Sequence, residues 1–145
     1  GLAAPVELAL PLVERYRTPR PRLELGRALR GLASAAIDVS DGLLADLGHL
    51  LEASGVGAEV EAERVPLSAA ARALPGARGT ALAGGDDYEL LFTLPAEHGP
   101  ALAGLADRLG LPLTVIGRTR AEPGLVLLDA QGRPLPVERT GWRHF

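Results

Sequence analysis

Cysteine, methionine and lysine are absent from the 145 residues, and each of the 15 basic residues is arginine. Without cysteine there is no disulfide framework, no thiolate-held zinc or iron–sulfur centre and no thiol nucleophile, so any chemistry rests on oxygens, imidazoles or bound metal. Without lysine the phosphate loop GxxxxGK[ST] is excluded, and no GxGxxG occurs. Aromatic residues make up 3% of the chain, too few for base-stacking platforms. The arginines are interspersed with 18 acids for a formal net charge of -3, so no basic face for nucleic acid is expected. Proline, acid or arginine breaks every apolar run well short of the roughly 18 residues of a membrane helix, and no leader pattern is visible. A cytoplasmic chain without membrane or nucleic-acid partners is expected.

What is present suits one compact unit. Hydrophobic side chains are 47% of the sequence, and a globular chain of this size buries roughly 70% of its extended surface. The chain starts at Gly1 rather than Met, and its first segment carries Pro5, Pro11, Pro19 and Pro21. Residues 1–22 are therefore expected to be a lead-in from a missing N-terminal half, with one short helical turn around Leu8 to Arg15 and an extended RTPRPR connector. Residues 23–145 form the expected domain.

Within it, Leu25, Ala28, Leu29 and Leu32 recur at helical spacing, and Ala35 to Val39 reads as a strand. Ser40 is a suitable N-cap for a helix whose apolar stripe is Leu43, Leu47, Leu50 and Leu51 and whose stop is Gly55. Ala58 to Val65 alternates small apolar residues with Glu59, Glu61 and Glu63, the period of a half-buried strand. Residues 67–74 suit an alanine-rich helix and 75–79 a turn, followed by a strand at Tyr88 to Leu94. Leu102, Leu105, Ala106 and Leu109 mark another helix, closed by Gly110 and Pro112. Strands are expected at Leu113 to Arg118 and Leu125 to Asp129, then a turn at 130–132 and a short run at 135–138. Consecutive late strands without an intervening helix favour an α+β fold with a mixed β-sheet flanked by helices over a doubly wound sheet.

Two constellations carry potential chemistry. In Ile37-Asp38-Val39-Ser40-Asp41-Gly42 a strand runs into a helix, where free N–H groups and the helix dipole favour phosphate. Its two carboxylates make electrostatic sense there if Mg²⁺ lies between acids and phosphates, since that ion takes one or two carboxylates plus phosphate oxygens. Asp38 and Asp41 are then metal ligands and Ser40 a nucleotide contact; local spacing equally allows Ser40 as a cap and Asp41 as a first-turn acid. In Gly84-Gly85-Asp86-Asp87-Tyr88-Glu89 the glycines permit close backbone approach beside acids that suit a cation or substrate; an ordinary acidic turn has the same pattern. His49 and His98 lack partners at ligand spacing, and Trp142, the single tryptophan, suits either sealing the core or stacking on a flat ring.

Taken together, AIDVSDGLLADLGHLLEASGVGAEV, GGDDYELLFTLP, VIGR at 115–118 and the terminal GWRHF resemble, in order and separation, the C-terminal half of the thiamine-monophosphate kinases, in the superfamily of aminoimidazole ribonucleotide synthetase. The resemblance runs from about Leu12 to Phe145 and implies an aminoimidazole ribonucleotide synthetase C-terminal-domain-like fold. It further implies ATP-dependent phosphorylation of thiamine monophosphate to thiamine diphosphate by direct in-line transfer with several Mg²⁺ ions. A homodimer would form through the N-terminal half. By the same resemblance Asp38 and Asp41 are metal ligands, Ser40 contacts ATP, and Asp86 and Trp142 bind substrate. Asp86 stands where that family usually has Glu, one methylene longer. The 145-residue piece alone is expected to be inactive, because two carboxylates do not assemble a multi-metal cluster. Another ATP-using enzyme of the superfamily and a non-catalytic binding or assembly module are the competing readings.

Overall fold

The computed structural model describes residues 6–136. Helices α1 (Val6–Arg17) and α2 (Leu23–Ala28) precede β1 (Ala35–Asp38), α3 (Leu43–Ser54) and β2 (Gly57–Glu61). Short helices α4 (Ala69–Arg72) and α5 (Ala77–Ala83) lead to β3 (Leu90–Thr93) and α6 (Ala101–Leu109), and β4 (Gly117–Arg120), β5 (Gly124–Leu128) and β6 (Pro134–Leu135) complete the order. β1 and β3 pair antiparallel in a two-stranded sheet, while the second sheet runs β4-β2-β5-β6. There β2 is antiparallel to β4 and parallel to β5. The expected mixed sheet flanked by helices is thus present, as an α+β arrangement with an additional strand pair.

Helix α3 joins the two sheets, because its stripe of Leu43, Leu47 and Leu51 packs with Val39 beyond β1, Ala58 and Val60 of β2, Leu82 of α5 and Leu127 of β5. A smaller cluster sets Leu25 and Leu29 against Leu105 of α6, backed by Leu90 and Phe92 of β3. The ends of α3 and α6 fall where their glycines predict: Gly55 and Gly110 take left-handed conformations at φ 68° and 58°, which only glycine adopts without cost.

Several boundaries differ from the sequence expectations. The early helical turn is a 12-residue helix that carries Pro11 inside it. β2 keeps the predicted alternation, with Ala58 and Val60 buried and Glu61 exposed, but ends at Glu61; a 3₁₀ turn over Ala62–Arg64 follows. Residues 77–79, expected in a turn, begin α5. The guanidinium of Arg78 donates to the carbonyl oxygens of Ala62 and Val65, and Leu82 enters the core. Tertiary packing overrides the local proline and glycine signal there.

Candidate functional site

The two acidic constellations, 45 residues apart in sequence at Asp41 and Asp86, lie side by side. Antiparallel pairing of β1 with β3 sets Asp38 opposite Leu90, and the ladder continues past both strands. The Val39 N–H donates to the Glu89 carbonyl at 2.8 Å, the Tyr88 N–H to the Val39 carbonyl at 2.8 Å, and the Asp86 N–H to the Ser40 carbonyl at 2.9 Å. Two glycines allow this approach. A Cβ on Gly42, whose φ is 122°, would stand 2.8 Å from the Ala83 carbonyl oxygen, and one on Gly85 would collide with the Ser40 carbonyl oxygen.

Gly42, not Ser40, occupies the cap position of α3. The electrostatic work of capping falls to Asp46 instead. Its carboxylate, on a residue only 3% exposed, accepts the N–H groups of Ser40, Asp41 and Gly42 at 2.9, 3.0 and 3.2 Å. The free N–H groups expected at this turn are therefore already bound within the protein. Among the described residues no side-chain hydrogen bond engages the carboxylates of Asp38 and Asp41 or the hydroxyl of Ser40, and Asp38 is exposed at the end of β1. Ser40 and Asp41 are half-buried. Such hard oxygen donors fit Mg²⁺, but no group of three or more potential metal ligands converges among the described residues. Asp38 and Asp41 alone do not complete a cation site; a metal held there would need donors from elsewhere.

In the facing loop Asp86 and Tyr88 hold positive φ values of 66° and 50°, an uncommon conformation that for tyrosine carries strain. The Tyr88 hydroxyl donates to Asp86 Oδ1 at 3.1 Å. That hydrogen bond, then the Asp86 charge, raises the tyrosine pKa. Partial burial pushes the Asp87 carboxyl up, reinforced by the charge of Glu89 and opposed by Arg15. Glu89 ties this loop to the front of the chain: Arg15 donates to it at 2.6 Å, and Arg22 forms a two-pronged pair at 2.7 and 2.8 Å. Burial pulls the Glu89 carboxyl upward, but the Arg22 hydrogen bond and the charges of Arg22 and Arg15 outweigh it and hold the carboxyl below its ordinary range. The same bond raises Arg22.

A cleft of about 510 Å³ opens beside these residues, lined by Arg22, Arg27, Arg30, Asp38, Tyr88 and Glu89 among others. A second, of about 430 Å³, lies along the four-stranded sheet. Charges there are internally paired, Arg118 with Glu59 and Arg133 with Asp129.

The structure therefore brings together Asp38, Ser40, Asp41 and Asp86. Trp142 lies outside the described residues. His49 is exposed on α3, and His98 places Nδ1 2.9 Å from the Leu32 carbonyl oxygen, a link between loops. Sequence reasoning overlooked Asp46 and the Glu89 pairs. For Asp46 a signal existed: it sits three residues beyond Leu43 and four before Leu50, on the helix face that carries the apolar stripe, where a carboxylate is retained only if it is hydrogen-bonded. The Glu89 pairs span 74 and 67 residues and leave no local pattern.

Compared with known proteins, residues 7–129 match the family described as AIR synthase related protein, C-terminal domain. The thiamine-monophosphate kinase of Salmonella typhimurium is 42% identical over 137 residues, covering 92% of this chain and 42% of that protein. The crystal structure of thiamine-monophosphate kinase from Stenotrophomonas maltophilia superposes with a TM-score of 0.81 at 49% identity, over 86% of this chain and 40% of that one. A structure of AaThiL complexed with AMPPCP and TMP gives a TM-score of 0.78 at 32% identity, over 100% of this chain and 44% of that one. The chain spans about two-fifths of the length of the curated relatives it matches.

Proposed function

Because the chain belongs to the AIR synthase related protein, C-terminal domain family, we propose that it is the C-terminal part of an ATP-dependent kinase that phosphorylates thiamine monophosphate to thiamine diphosphate. The observation that carries this reading is the seam between residues 38–42 and 84–89, where the Asp86 N–H meets the Ser40 carbonyl at 2.9 Å. It sets the two acidic segments side by side, which supports reading them as one site. Similarity to thiamine-monophosphate kinases, among them AaThiL complexed with AMPPCP and TMP, supports the choice of nucleotide and acceptor.

In this reading Asp38 and Asp41 hold Mg²⁺ together with acids of an N-terminal half, through which a cytoplasmic homodimer also forms. Bound Mg²⁺ supplies charge neutralisation between the phosphates of ATP and the acceptor phosphate. The Ser40 hydroxyl contacts the nucleotide. Asp86 and Trp142 bind thiamine monophosphate, and the Tyr88 hydroxyl fixes the orientation of the Asp86 carboxylate. Catalysis is then direct in-line transfer governed by positioning, with no covalent enzyme intermediate.

The test is ADP formation by the intact protein carrying this chain, with thiamine monophosphate, ATP and Mg²⁺. Turnover that depends on thiamine monophosphate and falls by roughly 10²-fold or more in Asp41→Asn, the size of loss typical for a charge-stabilising group, is the expected result. A wild type that turns over no thiamine monophosphate overturns the reading.

A further inference from the structure

Ser40, Asp41 and Gly42 present three successive backbone N–H groups at the entry to α3, the arrangement that ordinarily receives phosphate. Here all three converge on a single atom, Oδ2 of Asp46, at 2.9, 3.0 and 3.2 Å. The Asp46 N–H in turn donates to the Gly42 carbonyl at 2.9 Å, so residues 42 and 46 close a ring of reciprocal bonds. With only 3% of Asp46 exposed, its charge is compensated by these donors rather than by water.

We propose that Asp46 is the positioning residue of the acidic turn: it takes up the backbone donors that would bind phosphate, and leaves the turn to meet phosphate through cations held on side-chain oxygens. The proposal rests on the kinase reading for the identity of the ligand and on geometry for the role of Asp46. Two consequences follow from the bonds. An anion arriving at residues 40–42 finds these N–H groups taken and a carboxylate behind them, whereas among the described residues the side-chain oxygens of exposed Asp38 and half-buried Ser40 and Asp41 have no hydrogen-bond partner. The Ser40 residue is also gripped on both sides, its N–H by Asp46 and its carbonyl by the Asp86 N–H at 2.9 Å. Asp46 therefore sets the position of the substrate-side loop as well as the cation-side turn.

Because one oxygen accepts all three bonds, asparagine can replace it in shape, with Oδ1 serving the same N–H groups, while alanine cannot. Glutamate keeps the charge but displaces the oxygen by a methylene. Amide hydrogen exchange is measured on the intact protein for wild type, Asp46→Asn, Asp46→Glu and Asp46→Ala, together with ATP affinity in Mg²⁺ and in EDTA. In wild type the amides of residues 40–42 are expected to exchange at least about tenfold more slowly than an open turn, the scale of one bond to a charged acceptor. Asp46→Asn retains most of this protection, and Asp46→Glu and Asp46→Ala lose it locally while β1 and α3 stay protected. Half-saturating Mg²⁺ for ATP binding is expected to rise roughly tenfold in Asp46→Ala and Asp46→Glu and less than about threefold in Asp46→Asn, a split that follows geometry rather than charge. Unprotected amides at 40–42 in wild type overturn the proposal. So does an Asp46→Glu or Asp46→Ala protein that folds and keeps both exchange and Mg²⁺ dependence. A wild type that binds no ATP under any condition defeats the kinase reading alone, and the exchange comparison still decides the role of Asp46.

Discussion

Gly85 lies against the main chain of Asp41, so closely that a Cβ at position 85 would stand 3.3 Å from the Asp41 Cα and would overlap the carbonyl oxygen of Ser40. Both neighbours are backbone and cannot swing aside. Gly85→Ala is therefore expected to prise the two loops apart at a cost of about 1–3 kcal/mol, the usual penalty for overpacking. Gly48 supplies the contrast. It lies within α3 with nothing within 4 Å of an added Cβ, so Gly48→Ala is expected to stabilise the fold by roughly 0.5–1 kcal/mol through helix propensity and a less entropic unfolded chain. Urea midpoints at constant m-value measure both, and equal shifts of the same sign would contradict the argument.

Asp86 holds a strained backbone conformation within the candidate site. Its φ of 66° is one that aspartate tolerates better than most residues and that glycine adopts freely. Asp86→Gly is expected to leave thermal stability unchanged or raise it by up to about 1 kcal/mol, while the KM for thiamine monophosphate rises. Asp86→Glu restores the residue usual in the resembling kinases but places a longer side chain at the same φ, and it is expected to lose stability by a few tenths of a kcal/mol, on the order of the difference in left-handed tolerance. A glycine variant that melts well below wild type would show that the loop is not strained at this residue.

Much of the fold was legible because it is written locally. The stripe of Leu43, Leu47 and Leu51, the left-handed stops at Gly55 and Gly110, and the alternation of Ala58 and Val60 with Glu59 each depend on spacing over a few residues, and each appears in the structure. What escaped is tertiary. α5 begins at Ala77 because Arg78 finds carbonyl partners at Ala62 and Val65, and nothing near Pro75 announces them. The site divides the same way. Asp38, Ser40, Asp41 and Asp86 stand out as candidates from their motifs, and the structure sets their segments side by side, but the reading of the turn as a source of free N–H groups fails, because Asp46 in the first turn of α3 already occupies them.

Leu51 tests the joint between the sheets. It is 3% exposed and packs in the cluster shared by α3, β2, α5 and β5. Leu51→Ala removes buried methyl groups where a helix and a sheet meet, and a loss of about 2–5 kcal/mol is expected, the range for leucine truncation in cores. Chemical denaturation checks it. A loss under about 1 kcal/mol would mean that the site collapses readily around the void, and that α3 is not the element that fixes the sheets together.

Glu89 makes stability at the site depend on pH, and the sign is set by its two arginines. Its folded pKa is lowered, chiefly by Arg22 and then Arg15, which together overcome the upward pull of burial. A depressed carboxylate contributes stability that is fully present above its unfolded value, about 4.3, and that is lost as pH falls through the lower folded value. The side chain is 46% exposed, so solvent screening holds the contribution to about 1 kcal/mol. Asp87 works in the opposite direction: its raised carboxyl binds a proton more tightly in the folded protein, so acidification favours that state. Part of that elevation comes from the Glu89 charge itself. Glu89→Gln is accordingly expected to lower stability near neutral pH, to remove part of the loss seen below the ordinary glutamate range, and to shift the Asp87 titration downward. Carboxyl NMR titration and melting curves recorded across acidic pH measure the three effects together. An Asp87 that titrates unchanged in Glu89→Gln would show that the Glu89 charge takes no part in raising it and that the two acids act independently.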